Sequence, residues 1–232
     1  MIIERWAVLG LFVLSGCASD RLHDGPVLVD VSDRVPDLRL DIRYFGDNNF
    51  VGTRIDGYEA AKCLLLEPVA EALAQVEADL RKQGLRLQIF DCYRPKRAVA
   101  HFMRWAQDLS DQRGKSRWYP NLDKSALVPD YIAEQSGHSR ADTLDATLLQ
   151  CADVDRVETC EALDMGTEFD FFDVRANTDS DLVDPEQQHN RQTLRAAMAE
   201  HGFVNYPLEW WHFTLPDPQR PQQYFDVPIT VP

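Results

Sequence analysis

The sequence predicts an α+β fold in a single domain, with a mostly antiparallel central sheet and helices packed on one side. Three observations predict it. Helical and extended segments occur without strict βαβ alternation, hairpin-like links join several of the extended ones, and 232 residues fit one domain once a short leader is set aside. Hydrophobic residues make up 44% of the chain, which supports a real core and argues against disorder of the whole. The formal charge is -14, with no Lys/Arg cluster to offset it, so nucleic acid and anionic lipid head groups are repelled.

The first residues read as a targeting segment. Arg5 precedes nine apolar residues from Trp6 to Leu14, followed by Ser15, Gly16 and Cys17. Nine residues span about 14 Å as a helix, too short for a bilayer core of about 30 Å. An apolar stretch ending in small residues is a secretion signal. Leu14, Ser15, Gly16 and Cys17 also resemble the bacterial lipobox, whose cysteine is lipidated, although Glu4 weakens the positive start; an ordinary cleaved signal is the alternative. The expected organisation is a signal peptide over 1–16, a polar tether over 17–36 and one folded domain over 37–232. Ser19 rather than Asp stands two residues after Cys17, which favours the periplasmic face of the outer membrane.

Along the domain, Leu38, Leu40 and Ile42 alternate with Arg39, Asp41 and Arg43, a half-buried strand over 38–44. Gly46, Asp47, Asn48, Asn49 and Gly52 mark a loop. Val69, Leu73, Val76 and Leu80 form one apolar stripe of a helix over 68–82, opened by Pro68 and stopped by Gly84. Leu85, Leu87 and Ile89 alternate with Arg86 and Gln88 as a second strand. Pro95 opens another helix, whose Val99, Phe102, Met103 and Ala106 share a face. Residues 118–130 are irregular. Two extended segments, 144–149 and 163–172, flank a polar loop, a last helix covers 190–201, and 209–215 is aromatic and extended before a proline-rich surface tail.

Four cysteines remain after Cys17, and an even count in an exported chain suggests disulfides. Cys151 and Cys160 flank the polar loop and pair most simply, leaving Cys63 with Cys92. Free buried thiols are the alternative; a cysteine zinc site is disfavoured because no C-x-x-C spacing occurs.

Of six histidines, His23, His101, His189 and His201 have ordinary explanations on helices or in polar segments. His138 and His212 keep different company. With Asp145 they form a set from which a catalytic zinc draws three ligands, a fourth position staying open for water. Seven residues of straight strand would separate His138 from Asp145 by roughly 23 Å, so the chain must bend within 139–142. Glu209 and His212, three apart, face opposite sides of an ideal strand, so Glu209 must lie at the strand entrance or beside a bulge.

These two segments resemble the signatures of the bacterial D-Ala-D-Ala dipeptidases, the family typified by the vancomycin-resistance dipeptidase. Its first motif, Ser-x-His-x-x-Gly-x-Ala-x-Asp, is matched by Ser136, His138 and Asp145, and its second, Glu-x-x-His, by Glu209 and His212. The segments 44–52, 56–59, 93–99, 165–171 and 190–191 are also similar, in the expected order. Ala141 stands where the motif has Gly, and Thr143 where it has Ala. The resemblance implies one zinc per chain held by His138, Asp145 and His212, with Glu209 as catalytic base and Arg94 stabilising the oxyanion. It further implies that Tyr44 and Asp170 lie near the amine of a small dipeptide that Ser136 helps to hold. Two alternatives stay open: a D,D-carboxypeptidase acting on peptidoglycan stems, and a zinc-bearing binding module without catalysis. Oligomeric state is unreadable.

Overall fold

The structure is a computed structural model that describes residues 27–231. The expected signal peptide, Cys17 and most of the expected tether lie outside the described residues.

The folded body begins earlier than the sequence suggested. Residues Leu28–Asp30 (β1) pair antiparallel with Leu64–Leu66 (β3), and Val31 behind them is fully buried. The tether expected over 17–36 therefore ends before Leu28, because that short apolar run finds a sheet partner more than thirty residues away. The alternating strand over 38–44 is also shorter than its pattern. Only Arg39–Leu40 (β2) joins a ladder, and Arg43–Phe45 turns into a 3-10 helix that carries Tyr44 into the core at 1% exposure.

The larger sheet adds Leu85–Asp91 (β4), Thr143–Cys151 (β5), Cys160–Ala162 (β6), Val204–Asn205 (β7) and His212–Thr214 (β8). Its order is β2-β4-β5-β8-β7, with β6 paired to β5 beyond the site. The β2–β4 pair is parallel; the β4–β5, β5–β6, β5–β8 and β7–β8 pairs are antiparallel. The extended segment expected over 163–172 is absent. After β6 the chain turns, with the Asp164 carboxylate accepting from the Gly166 amide at 2.8 Å and Gly166 at φ +80.

Helix α1, Glu67–Arg81, buries Val69, Leu73, Val76 and Leu80 against β4 and against α4, Pro185–Glu200. The fourth helix starts five residues before its expected first residue because Asp184 and Gln187 form a reciprocal capping box around Pro185. Lys96–Gln107 (α2) follows Pro95, and Lys115–Trp118 (α3) is a single turn. The proline-rich tail is strapped down rather than loose. Ile229 is fully buried, exchanges backbone hydrogen bonds with Gly57 and Glu59, and the Val227 amide donates to the Tyr93 hydroxyl.

Arg86, on the polar side of the alternation in β4, does not face solvent. Its guanidinium is fully buried, its Nε donating to Glu77 Oε1 at 2.8 Å and its Nη1 to Asp37 Oδ2 at 3.0 Å. Glu77 in turn accepts from the Leu87 amide at 2.8 Å, which ties the helix to the strand. Truncating one member of such a buried pair strands its partner. Glu77→Ala is expected to cost about 3 kcal/mol, the lower end of the range because Asp37 still faces Arg86. Urea unfolding checks this; a loss below about 1 kcal/mol would show that the pair is not integral to the core.

Candidate active site

Three strands bring the site together. Asp91 on β4, Asp145 on β5 and His212 on β8 are direct cross-strand partners in succession. Side chains at such positions stand on one face, each about 5.5 Å or less from the next. The register of β4 shifts between Ile89 and Asp91, and that bulge is what aligns Asp91 with Asp145. Leu144, Ala146 and Leu148 point to the other face and are fully buried, so β5 is anchored on both sides.

The bend demanded between His138 and Asp145 is a 3-10 helix, Gly137–Arg140. Ser136 caps it, its Oγ accepting from the His138 amide at 3.3 Å. Ala141 ends the turn in the left-handed region at φ 59, at the position where the family motif has Gly. The strain of about 1 kcal/mol is offset by burial of its methyl, worth a similar amount.

Glu209 lies before β8, not on it. Its amide donates to the Tyr206 carbonyl at 3.1 Å, and the His212 amide donates back to its own carbonyl at 3.3 Å. Asn205 fixes this turn, donating from Nδ2 to the carbonyls of Glu209 and His212 at 3.1 and 3.0 Å. Both side chains thereby reach one point, with Glu209 Oε2 3.4 Å from His212 Nδ1.

His138 Nε2, His212 Nδ1 and Asp145 Oδ1 form a nearly equilateral triangle with sides of 3.3, 3.2 and 3.3 Å. Two ligands about 2.0–2.1 Å from a tetrahedral zinc lie roughly 3.3 Å apart, so one ion fits all three. Among the described residues Asp145 Oδ1 is buried without a hydrogen-bond partner, an orphaned acceptor that a cation satisfies. The tautomer of His138 agrees. Its Nδ1 lies 2.7 Å from the Cys92 carbonyl, which can only accept, so Nδ1 holds the proton and Nε2 keeps its lone pair for the ion. Burial pushes the Asp145 carboxyl up, but the two imidazoles outweigh it and hold it well below the ordinary range. The residues present thus fit a zinc ion.

Glu209 is enclosed, and burial pushes its carboxyl up to about 7. Arg94 follows β4 with its Nε donating to Asp91 Oδ2 at 3.0 Å and Nη2 3.7 Å from Asp145 Oδ2. Its guanidinium lies 4.9 Å from the centroid of the Tyr44 ring. Arg94 thus pairs with Asp91 and stands beside the triad at once. Tyr44 donates its hydroxyl to both oxygens of Asp170, at 3.1 and 2.9 Å. Burial pushes the Asp170 carboxyl well above its usual range, and the charge of Asp145 adds to this.

Tyr44, Arg94, Ser136, Asp170, Glu209 and the triad all line one cavity of about 290 Å³, walled by Trp211 and Phe102. The structure therefore gathers every residue expected to hold the metal, catalyse or bind substrate, and Cys17 lies outside the described residues. Both expected disulfides are formed, Cys63–Cys92 and Cys151–Cys160. Sequence reasoning gave no site role to the buried Asp91, which also accepts from the Tyr58 hydroxyl at 2.6 Å, and did not find the amide clamp of Asn205.

A family profile described as D-ala-D-ala dipeptidase matches residues 25–230. The chain belongs to that family. The D-alanyl-D-alanine dipeptidase of Enterococcus faecium is 37% identical over 193 residues, covering 83% of this chain and 93% of that one. Its namesake in Streptomyces coelicolor is 37% identical over 200 residues (86% and 96%), and that of Escherichia coli 34% over 198 residues (84% and 88%). Among solved structures, the vancomycin resistance D,D-pentapeptidase VanY in complex with Zn(II) gives a TM-score of 0.40 at 12% identity, covering 68% of this chain and 76% of that one, too remote to position any residue. As a D-Ala-D-Ala dipeptidase family member, the chain places its motif residues on two strands, β5 and β8, and two turns that meet at the end of β4.

Proposed function

We propose that this protein is a zinc-dependent dipeptidase that hydrolyses D-alanyl-D-alanine to free D-alanine in the cell envelope. The observation that carries the reading is the convergence of the ligand triad, Glu209 and Arg94 in a cavity of about 290 Å³ whose far wall is the Tyr44–Asp170 pair. Pockets for drug-sized ligands run from about 300 to 1,000 Å³, so this one suits a dipeptide better than a peptidoglycan stem.

When bound, zinc supplies Lewis acidity to the scissile carbonyl and to an attacking water. Glu209 takes the proton of that water and passes it to the departing amine. A carboxyl that burial brings to about 7 suits both transfers. Arg94 faces the carbonyl oxygen, and its fixed charge stabilises the oxyanion that develops there. The hydrogen bond to Asp91 holds the guanidinium in that direction. Asp170 receives the protonated amino terminus. A buried carboxyl whose side-chain hydrogen-bond partner among the described residues is the Tyr44 hydroxyl has an unmet demand for a cation, which a free amine satisfies and a peptide-chain amide does not.

Asp170→Asn keeps the shape and removes the charge, and it is expected to lower kcat/KM for D-Ala-D-Ala by about 10- to 100-fold, mostly through KM. An unchanged KM would move the amine site elsewhere. The signal-like start and Cys17 support export and anchoring by an N-terminal lipid, with the catalytic domain on the periplasmic side of the outer membrane. Among the described residues no helix is long and apolar enough to cross a membrane. The test of the reading is to incubate zinc-loaded protein with D-Ala-D-Ala, a D-Ala-terminated pentapeptide and L-Ala-L-Ala. Alanine is expected from the first; release from the pentapeptide alone would favour a D,D-carboxypeptidase.

A further inference from the structure

The segment from Cys92 to Arg94 leaves the sheet at the end of β4 and yet supports two parts of the site. The Cys92 carbonyl accepts the Nδ1 proton of His138 at 2.7 Å. Its neighbours zip the same segment to the His138 turn: the Arg94 amide donates to the His138 carbonyl at 3.3 Å, and Ser139 Oγ donates to the Arg94 carbonyl at 2.8 Å. Beyond β4 this stretch has no ladder of its own. At Cys92 the covalent tie to the rest of the fold is the Cys63–Cys92 disulfide; beside it the Tyr93 amide donates to the Leu64 carbonyl at 3.0 Å, the Tyr93 hydroxyl accepts from the Val227 amide at 2.8 Å, and Arg94 Nε donates to Asp91 at 3.0 Å. Both cysteines are buried, at 0% and 1% exposure.

The geometry points to the Cys63–Cys92 disulfide as a positioning element of the zinc site, which fixes the Cys92 carbonyl that orients His138 and so gives the chain its full zinc affinity only in the oxidised state. The inference rests on the zinc reading above. A metal-bound imidazole depends on the group that holds its other nitrogen, and loss of such a partner typically weakens metal binding by about 10- to 100-fold. The second disulfide is a built-in comparison. Cys151 lies six residues along β5 from Asp145, about 20 Å away in a strand, and joins only the β5–β6 hairpin.

The experiment is a competition titration of full-length protein with zinc and a chromophoric chelator. It compares the wild type, Cys63→Ala/Cys92→Ala, and Cys151→Ala/Cys160→Ala. A second form of the first pair, Cys63→Val/Cys92→Ala, restores buried volume in case the smaller pair does not fold. The expected result is zinc affinity lowered about 10- to 100-fold in the Cys63/Cys92 variants and unchanged in the Cys151/Cys160 variant, with excess zinc restoring turnover in the former. Equal affinity in all proteins, or equal weakening in both pairs, overturns the inference. Failure of the wild type itself to bind zinc would instead sink the reading on which it rests.

Discussion

Glu209→Gln is expected to lower kcat for D-Ala-D-Ala by about 100- to 10,000-fold while leaving zinc content and KM nearly unchanged. Glutamine keeps the size and the buried setting of the side chain but neither accepts nor releases the proton. No neighbour can substitute. Asp145 is committed to the triad with both imidazoles, and Asp170 is turned toward the Tyr44 hydroxyl. Zinc should stay because Glu209 is not part of the cluster, His138, Asp145 and His212, whose ligand atoms all lie within 4.8 Å of one another. Steady-state kinetics with metal analysis of the same sample checks the prediction. A variant that keeps zinc and turns over at the wild-type rate would remove Glu209 from the mechanism.

Asp145→Asn should have the larger effect on the metal itself. The carboxylate supplies the only negative charge among the three ligands, and its Oδ1 has no hydrogen-bond partner among the described residues. A neutral amide at that point is a far poorer ligand, and the two imidazoles are left without the anion that balances the ion. Zinc affinity should fall by at least about 100-fold, and activity should be absent at stoichiometric zinc. The apo protein should fold, because asparagine keeps the size of the side chain and can both accept from and donate to the neighbouring imidazoles. Chelator competition and thermal unfolding with and without zinc separate the two effects. Wild-type zinc affinity in this variant would require a different ligand set.

What the sequence made legible follows from where each signal resides. The α+β class, α1 and α2 could be read because apolar spacing along one element determines them. The motif residues could be read because metal ligands and a base draw on few residue types at fixed spacing; His138 with Asp145 even required a bend, which the 3-10 turn supplies. The start of α4 was present in Asp184, Pro185 and Gln187, but the apolar pattern begins only at Leu194 and so places the helix too late. Other features had no local signature. Arg86 looks like the exposed side of a strand until Glu77, nine residues earlier, is folded against it. Strand β1 exists only because β3 offers it an edge. Asp91 takes a hydroxyl from Tyr58, 33 residues earlier in the chain, and Asn205 clamps carbonyls four and seven residues on, contacts that depend on the fold and on a turn rather than on an apolar pattern.

All of this depends on a single divalent ion seated where β5, β8 and the His138 turn converge. Diffraction from crystals of the zinc-loaded protein, recorded on both sides of the zinc absorption edge, addresses that point directly. The account predicts one anomalous peak within about 2.1 Å of His138 Nε2, His212 Nδ1 and an Asp145 oxygen. Zinc bound away from these atoms, or coordinated by only one of the two imidazoles, would contradict it.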